Sequence, residues 1–251
     1  MNARSCRRVI WPRRSLLLAA VALALACGAS ALPQANVTGR VELVGAADGK
    51  PVTDASQVVV WLTPLSAASE TAPSQSPQPL RLVQRHKSFE PHLLVVQAGS
   101  MVQFPNDDPF FHNVFSLFEG KRFDLGLYEA GSTRSVLFDK PGICYLFCNI
   151  HPEMSAVVVV LKTRYYAVSD HAGEIAITGV PPGRYELQVW NERSLPDDLK
   201  SLIRQLDISG SAYSLGTIFV RSNPNHSMAH KNKYGRDYDS PTPPSVLYSQ
   251  P

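Results

Sequence analysis

The stretch 142-GICYLFCNIHPEM-154 decides how the rest of the chain is read. Its first half alternates as a strand does, with Cys144, Leu146 and Cys148 on one face and Ile143, Tyr145 and Phe147 on the other. Both faces are largely apolar, so this strand should be covered on much of both sides. The strand ends at Cys148. Asn149-Ile150 then turns the chain to bring back His151, and Pro152-Glu153 brings back Met154. A thiol, an imidazole and a thioether so close together admit three readings: a metal site, a catalytic thiol, or core residues beside a turn. Upstream, 110-FFHNVFS-116 sets His112 at the start of another strand, just after the turn-rich 105-PNDDP-109.

Taken singly, Cys148 reads as a buried apolar thiol, Met154 as a core filler and His151 as a turn residue. Taken with His112 they make a ligand set. A thiolate and two imidazoles in a plane, with a distant thioether, are the donors of a blue copper electron-transfer centre. Soft sulfur stabilises the reduced ion and imidazole suits both oxidation states. Zinc fits less well, because structural zinc sites use Cys and His rather than Met. A Cys148–His151 hydrolase would leave His112 and Met154 unexplained and lacks an orienting third group. A multicopper oxidase or copper nitrite reductase needs further histidine clusters, and the sequence holds no His-x-His pair. The chain therefore reads as a non-enzyme.

Outward from this stretch, the chain reads as all-β. Short Val-, Ile- and aromatic-rich runs bounded by Gly, Pro, Asn and Asp recur, among them 37-VTGRVELV, 58-VVVWLT, 93-LLVVQ, 155-SAVVVVLK and 184-RYELQVWN. One helix is expected after Pro196, where Leu199, Leu202, Ile203 and Leu206 follow two acids at helical spacing. Residues 66–78 read as a flexible loop, and residues 222–251 as a disordered tail. Within that tail, His226, Met228 and His230 alternate, a spacing that could capture copper during loading, although a disordered tail offers no preorganisation.

Residues 1–31 read as a cleaved export signal: Arg4, Arg7, Arg8, Arg13 and Arg14, an apolar run from Ser15 to Ala26, then Ala29-Ser30-Ala31 as the cleavage site. The apolar run is too short for a transmembrane span. Arg13-Arg14 leaves twin-arginine export open, and Cys27 in Leu25-Ala26-Cys27-Gly28 leaves open a lipid anchor. The expected location is periplasmic or otherwise exported. Without the signal the chain keeps 19 of its 24 basic residues and all 21 acidic ones. Its balance is then slightly acidic, which gives no support for nucleic acid as a partner. Cys144 and Cys148 remain in an oxidising compartment. Four residues apart on one strand, they are too distant to form a disulfide with each other.

The ordered pattern, 103-QFPNDD-108, then 112-HNVFS-116, 138-FDKPG-142 and 148-CNIHPEM-154, resembles the cupredoxins, with a ligand loop similar to that of amicyanin. It is similar too to exported bacterial methylamine-utilisation or plastocyanin-like proteins. The resemblance covers about residues 79–162. It implies a Greek-key β-sandwich, one type 1 copper ion and the ligands His112, Cys148, His151 and Met154. It also implies that Asn113 hydrogen-bonds across to the cysteine loop and fixes the ligand geometry, and that Cys144 fills a core position. Because the segment between His112 and Cys148 is short, one or two family strands are expected to be missing or distorted.

The flanking segments, 36–65 and 163–221, resemble a carboxypeptidase regulatory-like, or transthyretin-like, sandwich. The resemblance is clearest in 173-GEIAITGVPPGRYELQV-189, where Pro181-Pro182-Gly183 makes a turn and Tyr185, Leu187 and Val189 alternate inward. It implies a discontinuous sandwich interrupted by the copper-binding region; the alternative is that 37–64 adds strands to the copper-side sheet. With no evident catalytic group, the second sandwich reads as a scaffold or docking surface. The function implied is a one-electron carrier with transient redox protein partners, docking through Phe110, Phe111, Ile150 and Pro152 around His151. A copper-handling or sensing protein is the alternative. His86, His92 and His171 read as solvated, as do Asp107, Asp108, Glu119 and Asp124.

Overall fold

The structure is a computed structural model that describes residues 34–66, 79–117, 121–223 and 230–238. The expected export signal with Cys27, nearly all of the expected loop (67–78), Glu119, His226, Met228 and most of the expected tail lie outside the described residues.

In chain order the strands are β1 (Ala35–Gly45), β2 (Val59–Pro64), β3 (Leu80–Arg81), β4 (Val83–Arg85), β5 (Ser88–Glu90), β6 (Leu93–Gln97), β7 (Ser100–Pro105), β8 (His112–Ser116) and β9 (Phe123–Tyr128). They continue with β10 (Thr133–Phe138), β11 (Gly142–Phe147), β12 (Ser155–Leu161), β13 (Tyr166–Val168), β14 (Glu174–Val180), β15 (Gly183–Trp190), β16 (Arg204–Ile208) and β17 (Ala212–Ser222), with one helix, α1 (Pro196–Lys200), between β15 and β16. The fold is all-β. Among the described residues no helix is long and apolar enough to cross a membrane.

Strand pairing separates the chain into two sandwiches. β1 lies between β14 and β17, and β2 between β13 and β15, with β16 on the far edge of β15. These two sheets close on Val37, Val41, Val60, Leu62, Tyr185, Leu187 and their neighbours. β3 to β12 pair among themselves: a sheet in the order β6-β12-β11-β8-β9, a sheet in the order β10-β7-β3, and the hairpin β4-β5. Their shared core holds Val102, Phe104, Phe138, Cys144, Leu146, Cys148 and Met154. Thus β1 and β2 pair with strands that follow residue 165, and add nothing to the sheet that carries Cys148.

What joins the sandwiches is legible in 155-SAVVVVL-161. Ala156, Val158 and Val160 face the core around Cys148. Val157, Val159 and Leu161 face the opposite way, onto Val59 of β2 and Trp190 of β15. A strand buried on both faces has no polar phase, which is why this run is apolar without alternation. β2 mirrors it, with Val60 and Leu62 directed to its own core and Val59 to the junction.

Three elements differ from the sequence reading. The helix after Pro196 lasts only to Lys200, and its N-cap Leu195 makes no side-chain cap. Leu206, the last residue of the expected helical stripe, lies on β16, which pairs with β15 and buries Leu206 and Ile208 at alternate positions. The pull of a sheet edge with an open ladder outweighs one uncapped helical turn. The short interval between His112 and Cys148 nonetheless forms three strands, β9, β10 and β11. Finally, residues 230–238 of the expected disordered tail pack on the Cys148 loop, through contacts described below.

His92 also departs from expectation. It is half-buried between the sandwiches, with Nδ1 3.1 Å from the Ser155 carbonyl and Nε2 2.7 Å from Oε2 of Glu192. The hydrogen bond to Glu192 raises its pKa above the usual histidine value, against the opposing effect of burial. The side chains keep 36% and 28% of their surface exposed, so solvent discounts the pair to no more than about 1 kcal/mol. Each buried Val or Leu of the junction contributes roughly 1.5–3 kcal/mol as an upper bound. The apolar junction therefore holds the sandwiches together, and the ion pair trims it.

A raised histidine pKa stabilises the fold below its unfolded value, and that contribution fades as pH rises through the folded one. Glu192→Gln should therefore lower stability by up to about 1 kcal/mol at about pH 6 and by less at about pH 9. Urea unfolding midpoints at the two pH values measure the difference; an equal loss at both would exclude a titrating pair.

Candidate metal centre

Two strand ends and one loop build the site. β11 delivers Cys148 just beyond its last paired residue, Phe147, which pairs with Phe115 of β8. β8 begins at His112, so the antiparallel pairing sets the end of one strand beside the start of the other. The loop from Cys148 to Met154 is closed by its own backbone: Cys148 N–H donates to the Met154 carbonyl (3.3 Å), and Met154 N–H to that of His151 (3.1 Å). Pro152 and Glu153 form the exposed tip of that turn, which returns Met154 to the core and His151 to its edge.

Three donor atoms converge there. Cys148 Sγ lies 3.8 Å from His112 Nδ1 and 3.7 Å from His151 Nδ1, and the two imidazole nitrogens are 3.2 Å apart. Donors bonded to one transition-metal ion at about 2.0 Å for nitrogen and about 2.3 Å for thiolate stand roughly 3–4 Å from one another. The observed spread matches that gap. Met154 is wholly buried, in the core cluster that also holds Cys148. His112 is buried, and His151 keeps part of its ring toward solvent.

The surroundings shift the proton affinities of the thiol and the imidazole in opposite directions. Burial pushes the Cys148 thiol pKa up, and backbone N–H groups of Asn113, Ile150 and His151 pull it back by donating to the sulfur. Those three donors stand ready for a thiolate. Burial, then the neighbouring His112, pushes the His151 pKa down, which keeps a lone pair free near neutral pH. Phe110 sets its ring edge-on to His112, 5.1 Å between centroids, and lies 5.7 Å from His151. Around them Phe111 and Ile150 are exposed.

Asp108 is the residue that sequence reasoning misplaced. It is buried, and its Oδ2 lies 2.8 Å from His112 Nε2. The same carboxylate accepts the backbone N–H groups of His86 (2.7 Å) and Lys87 (2.9 Å). Burial would raise its pKa, but the Lys87 N–H, the His112 contact and the His86 N–H outweigh it, and the pKa falls. A carboxylate on one imidazole nitrogen fixes the ring and directs the other nitrogen to the metal side. The sequence signal was the i, i+4 spacing of Asp108 and His112 across a Pro-Asn-Asp-Asp-Pro turn, too common a pattern to stand out. Asp107, by contrast, is at the surface with Arg85, as expected.

Asn113 meets the cysteine through its main chain and uses its side chain elsewhere. Its side-chain amide donates to Asp124 Oδ1 (2.7 Å) and to the Gly126 carbonyl (2.9 Å), not across to the cysteine loop. What it gives the cysteine is its backbone N–H. Asp124 is exposed, as expected, and one of its oxygens nevertheless holds the Asn113 amide. Cys144 sits apart from the site in the core, near Ser116 Oγ (3.3 Å), and burial pushes its pKa up to about 11. Among the described residues, His112, Cys148 and His151 form the one group of at least three His, Cys, Asp or Glu whose ligand atoms lie mutually close, within 4.8 Å.

No protein-family profile matches the sequence, and no curated protein sequence matches it. Among solved structures the chain is similar to a novel purple cupredoxin from Nitrosopumilus maritimus: 22% identity, 33% of this chain and 99% of that one, TM-score 0.30. It is similar to the M98A mutant of amicyanin in its Cu(I) form at 19% identity, over 41% of this chain and 98% of that one, TM-score 0.32. A copper-containing nitrite reductase from Thermus scotoductus SA-01 aligns at 24% identity over 39% of this chain but only 25% of its own, TM-score 0.33. The donor atoms themselves carry the functional reading that follows.

Asp108→Ala should destabilise the metal-free protein by about 1–3 kcal/mol, because two half-buried N–H groups and the buried His112 imidazole lose their acceptor. Asp108→Asn, which keeps an acceptor oxygen, should recover part of that loss. Denaturant unfolding of both variants checks it, and an Ala variant as stable as the parent would deny Asp108 this role.

Proposed function

We propose that this chain is an exported protein that holds one copper ion at His112, Cys148, His151 and Met154 and carries one electron at a time. The observation that carries the reading is the convergence of one thiol sulfur and two imidazole nitrogens, 3.2–3.8 Å from one another, in the core that also buries Met154. That donor set suits copper better than zinc, since a thioether adds nothing to a structural zinc site. Copper so held can accept and return a single electron with little change in its bonds.

Each residue has its task. Cys148 gives up its proton and supplies the thiolate, held by three backbone N–H groups. Asp108 keeps His112 Nε2 occupied, so that Nδ1 faces the sulfur. Rigid strands carry His112 and Cys148, and such rigidity lowers the reorganisation that accompanies electron transfer. His151 is the ligand nearest solvent, and exposed Phe111 and Ile150 beside it suit brief, weak docking of a redox partner. The second sandwich supports β12 from behind and serves as scaffold.

The purified chain, loaded with copper, should show intense visible absorption from the thiolate and reversible one-electron behaviour, both lost in Cys148→Ala. Redox titration and the visible spectrum measure this. Rapid surrender of copper to a modest chelator, without reversible redox behaviour, would favour the copper-handling alternative. Absence of the thiolate band despite bound copper would refute both the ligand set and the carrier role.

A further inference from the structure

The segment His230–Tyr238 is a folded turn, not a loose end. Asn232 N–H donates to the Arg236 carbonyl (2.8 Å) and Gly235 N–H to that of Asn232 (2.9 Å). Asn232 Oδ1 accepts the N–H groups of Tyr234 (3.0 Å) and Arg236 (3.1 Å). Gly235 takes the positive φ, 75°, that the turn requires. These bonds let the turn present several side chains to one surface, and that surface is the cysteine loop.

Four contacts reach it. The Tyr238 hydroxyl donates to the carbonyl of Cys148 (2.9 Å). The His230 ring stacks on Phe147, 3.8 Å between centroids and 20° between planes, with Nε2 3.0 Å from the Pro152 carbonyl and Nδ1 3.2 Å from the Tyr238 hydroxyl. Lys233 N–H donates to Asn149 Oδ1 (3.0 Å). Its ammonium meets Asp124 Oδ2 (2.8 Å), the carboxylate whose other oxygen holds Asn113. Asn113, next to His112, places its own N–H on the Cys148 sulfur. The turn therefore touches the cysteine loop along its length and reaches the histidine strand through two further links.

We propose that residues 230–238 clamp the ligand loop, with Tyr238, His230 and Lys233 as positioning residues that restrain Cys148 and slow the release of a bound metal. The clamp on the loop stands on the contacts alone; the consequence for metal release rests on the copper reading. The loop's own closure is two backbone bonds, one of them long at 3.3 Å. Added restraints from outside the loop narrow its motion without touching the donor atoms. The clamp also covers the Phe147–Cys148 side of the loop and leaves the exposed edge of His151 to a partner.

The test uses the full chain and two point variants, Tyr238→Phe and Lys233→Met. In the metal-free proteins, hydrogen exchange at the Cys148 and Met154 amides should speed up by about fivefold in Tyr238→Phe, the weight of one ordinary hydrogen bond. Amides of β1 and β17 that exchange by local opening should match the parent, and urea midpoints should fall by no more than the weight of that same hydrogen bond. The double variant should fall short of the product of the two single effects if the turn acts as a unit. Unchanged exchange at Cys148 and Met154 in both variants would overturn the clamp. With copper added, transfer to a chelator should quicken several-fold in each variant and the thiolate band should shift in Tyr238→Phe. Transfer rates and bands equal to the parent's would overturn the effect on metal release. If the parent binds no copper, the copper reading fails, and the exchange experiment still decides the clamp.

Discussion

The structure depends on one register. β11 and β8 run antiparallel with Phe147 opposite Phe115, and this sets the exit of Cys148 beside the entry of His112. Each residue reaches the site because a strand ends or begins there. His151 then needs only a tight loop, since it is three residues from Cys148 along the chain. Slip the pairing by one residue and the side chains exchange faces, sending the sulfur out of the core.

Around that register the polar groups are arranged to restrict rather than to bind. Asp108 occupies the outward nitrogen of His112, Asn106 Oδ1 accepts the Asp108 N–H at 3.1 Å, and the Asn106 amide is tied to the Phe110 carbonyl at 2.8 Å. The Asn113 amide is tied to Asp124 and Gly126. None of these groups offers an atom to the converging donors. They use buried and half-buried hydrogen bonds, costly to leave unmade, to limit ring orientation and loop shape. The raised thiol pKa of Cys148 and the lowered pKa of His151 follow from the same burial.

The second sandwich bears on the site mechanically. Its β2 and β15 cover the back of β12, and β12 pairs with β11 from Gly142 to Phe147. The strand that delivers Cys148 is thus supported by a neighbour buried on both faces. His92 and Glu192 add a pH-sensitive contact at the rim of that junction, much weaker than the apolar contact it borders.

The sequence by itself determined the class of fold and pointed to the side chains that the structure brings together, His112, Cys148 and His151. Alternating and continuous apolar runs name their strands because burial on one face or two leaves a local imprint, as 155-SAVVVVL-161 does. Cys148, His151 and Met154 were legible because one short loop carries all three, and His112 because a strand and an Asn-Val follow it. Only the tertiary structure decided what depends on residues far apart in the chain. Asp108 becomes a buried partner of His112 because the β4–β5 turn folds over it with two N–H groups. Leu206 belongs to a strand because β15 offers an open edge. His230–Tyr238 is ordered because it has the Cys148 loop to rest on. A local pattern records how a residue meets solvent or core; it does not record which distant group will supply a hydrogen bond, and that choice belongs to the packed chain.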